Sequence, residues 1–238
     1  MSASTPKKIL VWDLPVRVFH WLLVLSFAGA WLTAESERWR QVHVTLGYTM
    51  AGLVAFRVLW GVVGSRYARF SSFVRSPSAT LRYFKSLFGT QPERHLGHNP
   101  AGAVAIVGLL LLILITAGSG WAALNEVAGP WLGDAHEIAA NALLALVVVH
   151  LLGVAFGCFL HRENLVHSML TGRKHANKVV TGSAEARGIA RSWSILGVAV
   201  LAAVLSFWAW QWLQQPDAVS SVTASDSRSH QEQHSEHN

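Results

Sequence analysis

Residues 136–160 read HEIAANALLALVVVHLLGVAFGCFL, a run with one carboxylate and no Lys or Arg. A bilayer core of about 30 Å takes about 20 helical residues to cross, so the run is long enough to span a membrane. Its two histidines, His136 and His150, are 14 residues apart. That is close to four whole turns at about 3.6 residues each, and about 21 Å along the axis. The two imidazoles therefore point the same way at two depths. Ionisable groups inside a membrane are costly and by default functional.

Working outward, four further stretches are comparably apolar, near 17–34, 43–63, 101–124 and 192–213. The chain has 238 residues, 52% hydrophobic and 13% charged, where a soluble domain carries about 25% charged residues. The expected fold class is an all-α integral membrane protein. The first stretch has the length of a signal-peptide core behind Lys7 and Lys8. It contains His20, Trp21 and Trp31, however, and lacks a small-x-small cleavage site before the charged 35–40 segment, so it is read as a retained helix. Cys158 is the only cysteine, which excludes internal disulfides, Cys₄ clusters and c-type haem attachment. Rossmann, P-loop and zinc-protease motifs are absent from the sequence.

Fifteen of the 19 Lys and Arg fall in the N-terminal tail, the 64–100 connection and the 161–191 connection. Alternating spans place these three segments on one side, which the positive-inside rule makes cytoplasmic. The net charge of +6 is thus a membrane signature, and nucleic acid is not an expected partner. The N-terminus is expected in the cytoplasm and the C-terminus outside. The 214–238 tail, with His230, His234 and His237, has no periodicity and reads as a solvated low-complexity segment.

Two more histidines fall within spans. His20 begins the first and His43 begins the second, so depth pairs His20 with His150 near the cytoplasmic leaflet and His43 with His136 near the outer one. A single membrane histidine is as often an interhelical hydrogen-bonding residue as a ligand. Two depth-matched pairs without a carboxylate suit a planar macrocycle with axial imidazoles, which points to two non-covalent haems b. The weaker pair is His43 with His136, because an unliganded imidazole near the interface costs little.

Other polar positions have plainer readings. Arg57 is open between pairing with a propionate of the inner haem and snorkelling to the headgroups. His98, His161 and His167 read as capping or headgroup-contact residues at helix ends, and Glu137 as a carboxylate in the first turn of its helix. The pairs Gly47 with Gly52 and Gly153 with Gly157 read first as helix-packing positions, with room for a porphyrin edge as the alternative. Trp39, Trp60, Trp121 and Trp131 suit the interfacial aromatic belt.

Several segments together resemble the bacterial cytochrome b561 family, which includes the b-type cytochrome subunits of nickel–iron hydrogenases. They are Val11-Trp12-Asp13-Leu14-Pro15 through His20-Trp21, the stretch from His43 to Gly64 with Phe56-Arg57 and Leu59-Trp60-Gly61, Gly97-His98-Asn99-Pro100-Ala101-Gly102, and Ala135-His136-Glu137 followed by His150. Leu160-His161-Arg162-Glu163-Asn164-Leu165 and Thr171-Gly172-Arg173-Lys174 add to the likeness, which covers roughly residues 9–175. The resemblance implies a four-helix haem-binding bundle in a bacterial inner membrane. It also implies bis-His ligation of two haems b at His20, His43, His136 and His150, and electron exchange between a quinone pool and a redox partner such as a c-type cytochrome or a hydrogenase. Some members oxidise superoxide and reduce quinone directly, a second reading to which Arg38 and Arg40 would lend a basic entry. The expected organisation is a haem-binding domain over 1–175, a connection and fifth C-terminal helix over 176–213, and the outer tail over 214–238.

Overall fold

Helix starts are set by capping chemistry as much as by hydrophobicity. In the computed structural model, which describes residues 8–87, 96–175 and 188–214, helix α1 (Leu14–Thr33) opens where the Asp13 carboxylate accepts from the Val16 N–H, with Pro15 in the first turn. A 3₁₀ turn at Glu37–Trp39 leads into α2 (Arg40–Val63). The 64–100 connection is partly structured, with a short α3 (Phe70–Phe73) and α4 (Pro77–Leu87). Asn99 then caps α5 (Pro100–Leu124) by accepting from Gly102 N at 2.6 Å. Next come α6 (Trp131–His161), α7 (Leu165–Thr171) and α8 (Ser194–Leu213).

Among the described residues five helices are long and apolar enough to cross a membrane, and they coincide with the five expected spans. The protein is an all-α, multi-pass membrane protein. α6 begins at Trp131, five residues before its apolar run, so Asp134 occupies the first turn and Glu137 lies exposed farther along. The sequence reading of Glu137 as the first-turn carboxylate is corrected accordingly.

α1 packs along α2, and α5 along α6, with α2 against α5 joining the two hairpins. Neither α1 nor α2 packs along α6, and α6 is the span least covered by the rest of the described chain. At Gly47, Gly52 and Gly153 a Cβ would meet nothing within 4 Å. Among the described residues these glycines are therefore not close-packing positions, contrary to the first expectation for them.

A short collar, unforeseen from sequence, closes the end of the bundle that bears His20. Strand β1 (Lys8–Leu10) pairs antiparallel with β2 (Arg173–His175), Leu10 opposite Arg173. The Gly172 carbonyl accepts from the N–H groups of Val11 and Trp12, and on the other side of the strand Ile189 N–H donates to Leu10 O. Gly172 has φ 77°, and a Cβ there would lie 2.6 Å from Trp12 O, so only glycine fits. The segment before α8 continues the collar: Leu14 N–H donates to Ser192 O, Trp193 meets Trp60 edge to face, and Leu196 packs on Val16 and Trp60.

The chain forms two compact units, Met1–Val200 and Leu201–Asn238. Of the expected divisions at 175, 213 and 214, residues 176–187 and 215–238 lie outside the described ranges. So do His95, His230, His234 and His237, together with the low-complexity reading of the tail.

Candidate functional site

His43, in the first turn of α2, and His136, on α6, bring their ring centres to 6.1 Å with planes at 80°. Each ring is oriented by the main chain of a neighbouring helix. His43 Nδ1 lies 2.9 Å from the carbonyl of Ala30 on α1, and His136 Nδ1 lies 2.8 Å from that of Thr116 on α5. A carbonyl only accepts, so both Nδ1 atoms carry the proton and both Nε2 atoms keep their lone pair. That tautomer is the one a metal needs, and the carbonyl is the usual outer partner of a metal-bound histidine. Metal–imidazole bonds of about 2 Å on either side, with about 1 Å from each nitrogen to its ring centre, add up to about 6 Å. The pair therefore has the spacing for one iron between its rings. Gly120 on α5 makes room for it, since a Cβ there would lie 2.8 Å from two His136 ring atoms.

At the other end of the bundle lie His20, in the second turn of α1, and His150, 14 residues beyond His136 on α6. His20 Nδ1 is buried and has no hydrogen-bond partner, and its ring meets Trp21 edge to face at 5.1 Å. No group of three or more His, Cys, Asp or Glu able to hold a bare metal ion occurs among the described residues. The His43 and His136 pair fits a planar iron macrocycle held from both faces, and it lies between α6 and a helix that does not pack along it.

Beneath the His20 pair is a buried polar cluster. Asp13 is fully buried, with Oδ1 accepting from Val16 N–H and Oδ2 from Trp60 Nε1–H. Trp60, expected in the interfacial belt, is buried instead, whereas Trp39, Trp121 and Trp131 are exposed as that belt requires. Arg57 is only 3% exposed, with NH1 unpartnered, and its guanidinium stacks over Phe70. Of its two sequence readings, burial disfavours snorkelling. His98 does not cap α5, because Asn99 does. Its ring packs at a tilt between those of Trp12 and Phe73, at 4.5 and 4.7 Å, with its Nδ1 buried and unpartnered. Lys174, also buried, pairs with Glu163 at 3.7 Å, and burial lowers its pKa. Asp13, His98 and Lys174 were missed as site residues because each lies outside the apolar runs. The one signal in the sequence was the Asp-Leu-Pro helix start, which is compatible with Asp13 as a cap and silent on what else it holds.

The family described as prokaryotic cytochrome b561 matches residues 11–172. The chain belongs to this family. Its members are membrane b-type cytochromes of electron transport, so this cytochrome carries haem b. Among its relatives is a protein of Rhizobium leguminosarum bv. viciae named as a probable Ni/Fe-hydrogenase B-type cytochrome subunit, 23% identical over 73% of this chain and 91% of its own length. A protein of the same name from Rhodobacter capsulatus is 22% identical over 70% and 81%. The probable Ni/Fe-hydrogenase 1 B-type cytochrome subunit of Escherichia coli K12 is 25% identical over 49% and 60%. No solved structure matches the chain.

Proposed function

We propose that this cytochrome holds two haems b, one between His20 and His150 and one between His43 and His136, and passes electrons between the quinone pool and a redox partner protein of a respiratory chain. The observation that carries the reading is the His43 and His136 pair, whose carbonyl-bonded Nδ1 atoms leave both Nε2 atoms free while the ring centres stand 6.1 Å apart, a spacing suited to one iron. Each haem, when bound, supplies a one-electron couple, and two couples at two depths span the membrane. Bis-His ligation leaves no open coordination position, which favours electron transfer over oxygen activation. The chain's own residues fix the imidazole tautomer, set the depth of each pair through the 14-residue spacing on α6, and place the buried Arg57 cation as a propionate partner for the His20-side haem.

The excess of basic residues in the N-terminal, 64–100 and 161–191 segments supports a bacterial inner-membrane location with the N-terminus cytoplasmic and the C-terminus periplasmic. The hydrogenase-subunit names of the relatives support a nickel–iron hydrogenase as the partner. A pyridine haemochrome assay on haem-replete protein is expected to give two haems b per chain, and anaerobic addition of a short-chain quinol is expected to reduce them. One haem or none would sink the dihaem reading. Two haems that the quinol leaves oxidised, at a potential able to reduce them, would sink the quinone connection.

A further inference from the structure

Arg57 follows His43 on α2 by 14 residues, the interval that separates His136 from His150 on α6. Both helices start at the His43 end, so about 21 Å along each α6 presents a second histidine where α2 presents a guanidinium. The Phe73 ring links this position to His98, lying 6.0 Å from Arg57 Cζ and 4.7 Å from the His98 ring.

What holds the guanidinium is α3. Arg57 Cζ lies 4.9 Å from the ring centre of Phe70 and 6.0 Å from that of Phe73, within cation–π range of both. Phe70 reaches this position because residue 61, one turn beyond Arg57 on α2, is glycine: a Cβ there would run into the Phe70 ring. Phe73 is itself buried and is backed by His98 at 4.7 Å. Arg57 NH1 remains without a partner inside this enclosure.

We propose that α3 is a clamp, in which Phe70, seated by Gly61, fixes the Arg57 charge beside the haem of His20 and His150 and so raises that haem's midpoint potential. The inference rests on the dihaem reading. Reduction of the iron from Fe(III) to Fe(II) by one electron, drawn from the quinol or the partner, lowers the charge of the site by one. A fixed cation in a low-dielectric enclosure therefore favours the reduced form, and one released toward water is screened. Phe70 and Gly61 are positioning residues that act through Arg57.

The test is an optical redox titration of the full chain in detergent, resolving the two haem components, with haem counted on the same samples. Arg57→Gln is expected to lower one midpoint by about tenfold in the Fe(II) to Fe(III) ratio, 59 mV for one electron. Phe70→Leu is expected to move the same component in the same direction by less, Phe70→Tyr to leave it in place, and Phe70→Leu in the Arg57→Gln background to add nothing. Should Phe70→Leu fail to fold, Gly61→Ala displaces the same ring and makes the same comparison. Two titrating haems with no shift from Phe70→Leu, or an equal shift with and without Arg57, would overturn the clamp. Fewer than two haems in the unsubstituted protein would instead overturn the dihaem reading.

Discussion

The indole N–H of Trp60 donates to the Asp13 carboxylate at 3.0 Å, tying the last turn of α2 to the N-cap of α1. The other carboxylate oxygen caps α1 through Val16 N–H. Asp13→Ala removes a cap worth about 1 kcal/mol and strands a buried N–H at about 1–3 kcal/mol. It is expected to lower the thermal unfolding midpoint of the haem-loaded protein more than exposed Glu37→Ala does. Equal melting of the two variants would show that the tie contributes nothing.

The two histidine pairs are expected to behave independently. His43→Ala or His136→Ala should remove one haem and leave the other with its own potential, and His20→Ala or His150→Ala should do the converse. Loss of both haems from a variant that still folds would contradict the pairing.

Gly120 offers a test that touches no ligand. In Gly120→Ala the added methyl displaces the His136 ring from the Thr116 carbonyl. Occupancy of the His43-side haem is expected to fall while the other haem keeps its absorbance and potential. Full occupancy of both would mean that the ring has room this packing denies it.

Stability should depend on pH through His98. Burial first, and then the neighbouring Arg57 and Lys174 cations, push its imidazole from the ordinary 6.5 down to about 3. The unfolded chain then binds the extra proton between those values, so stability is full above about pH 6.5 and falls on acidification toward about pH 3. The slope contributed is up to about 1.4 kcal/mol per pH unit. Unfolding measured at pH 7 and pH 5 should show this loss, and His98→Phe, which keeps the stacking, should show less of it. Parallel curves for the two proteins would rule out His98 as the source.

The spans were legible because hydrophobic length is a local signal, and the meeting of His43 with His136 followed from their places along those spans. Trp60 and Arg57 were not legible, because each sits near the end of a span where lipid headgroups and protein interior look alike in sequence. What distinguishes them is Asp13 in one case and Phe70 in the other, and both partners lie outside the span. Gly61 belongs to the same class, since its meaning depends on a ring that arrives from α3. The collar was hidden for a simpler reason: three-residue strands carry almost no alternation, and β1 pairs with a segment on the far side of four spans.

That collar also imposes an order on assembly. Synthesis runs from the N-terminus, so Leu10 emerges long before Arg173 and Ile189, the residues that occupy its two edges. Until those arrive, the first strand has nothing to close upon, and the His20 end of the bundle stays unlatched while the four histidine-bearing and intervening helices enter the membrane. The latch thus fastens only once residue 189 has been made, after the four spans that separate its halves.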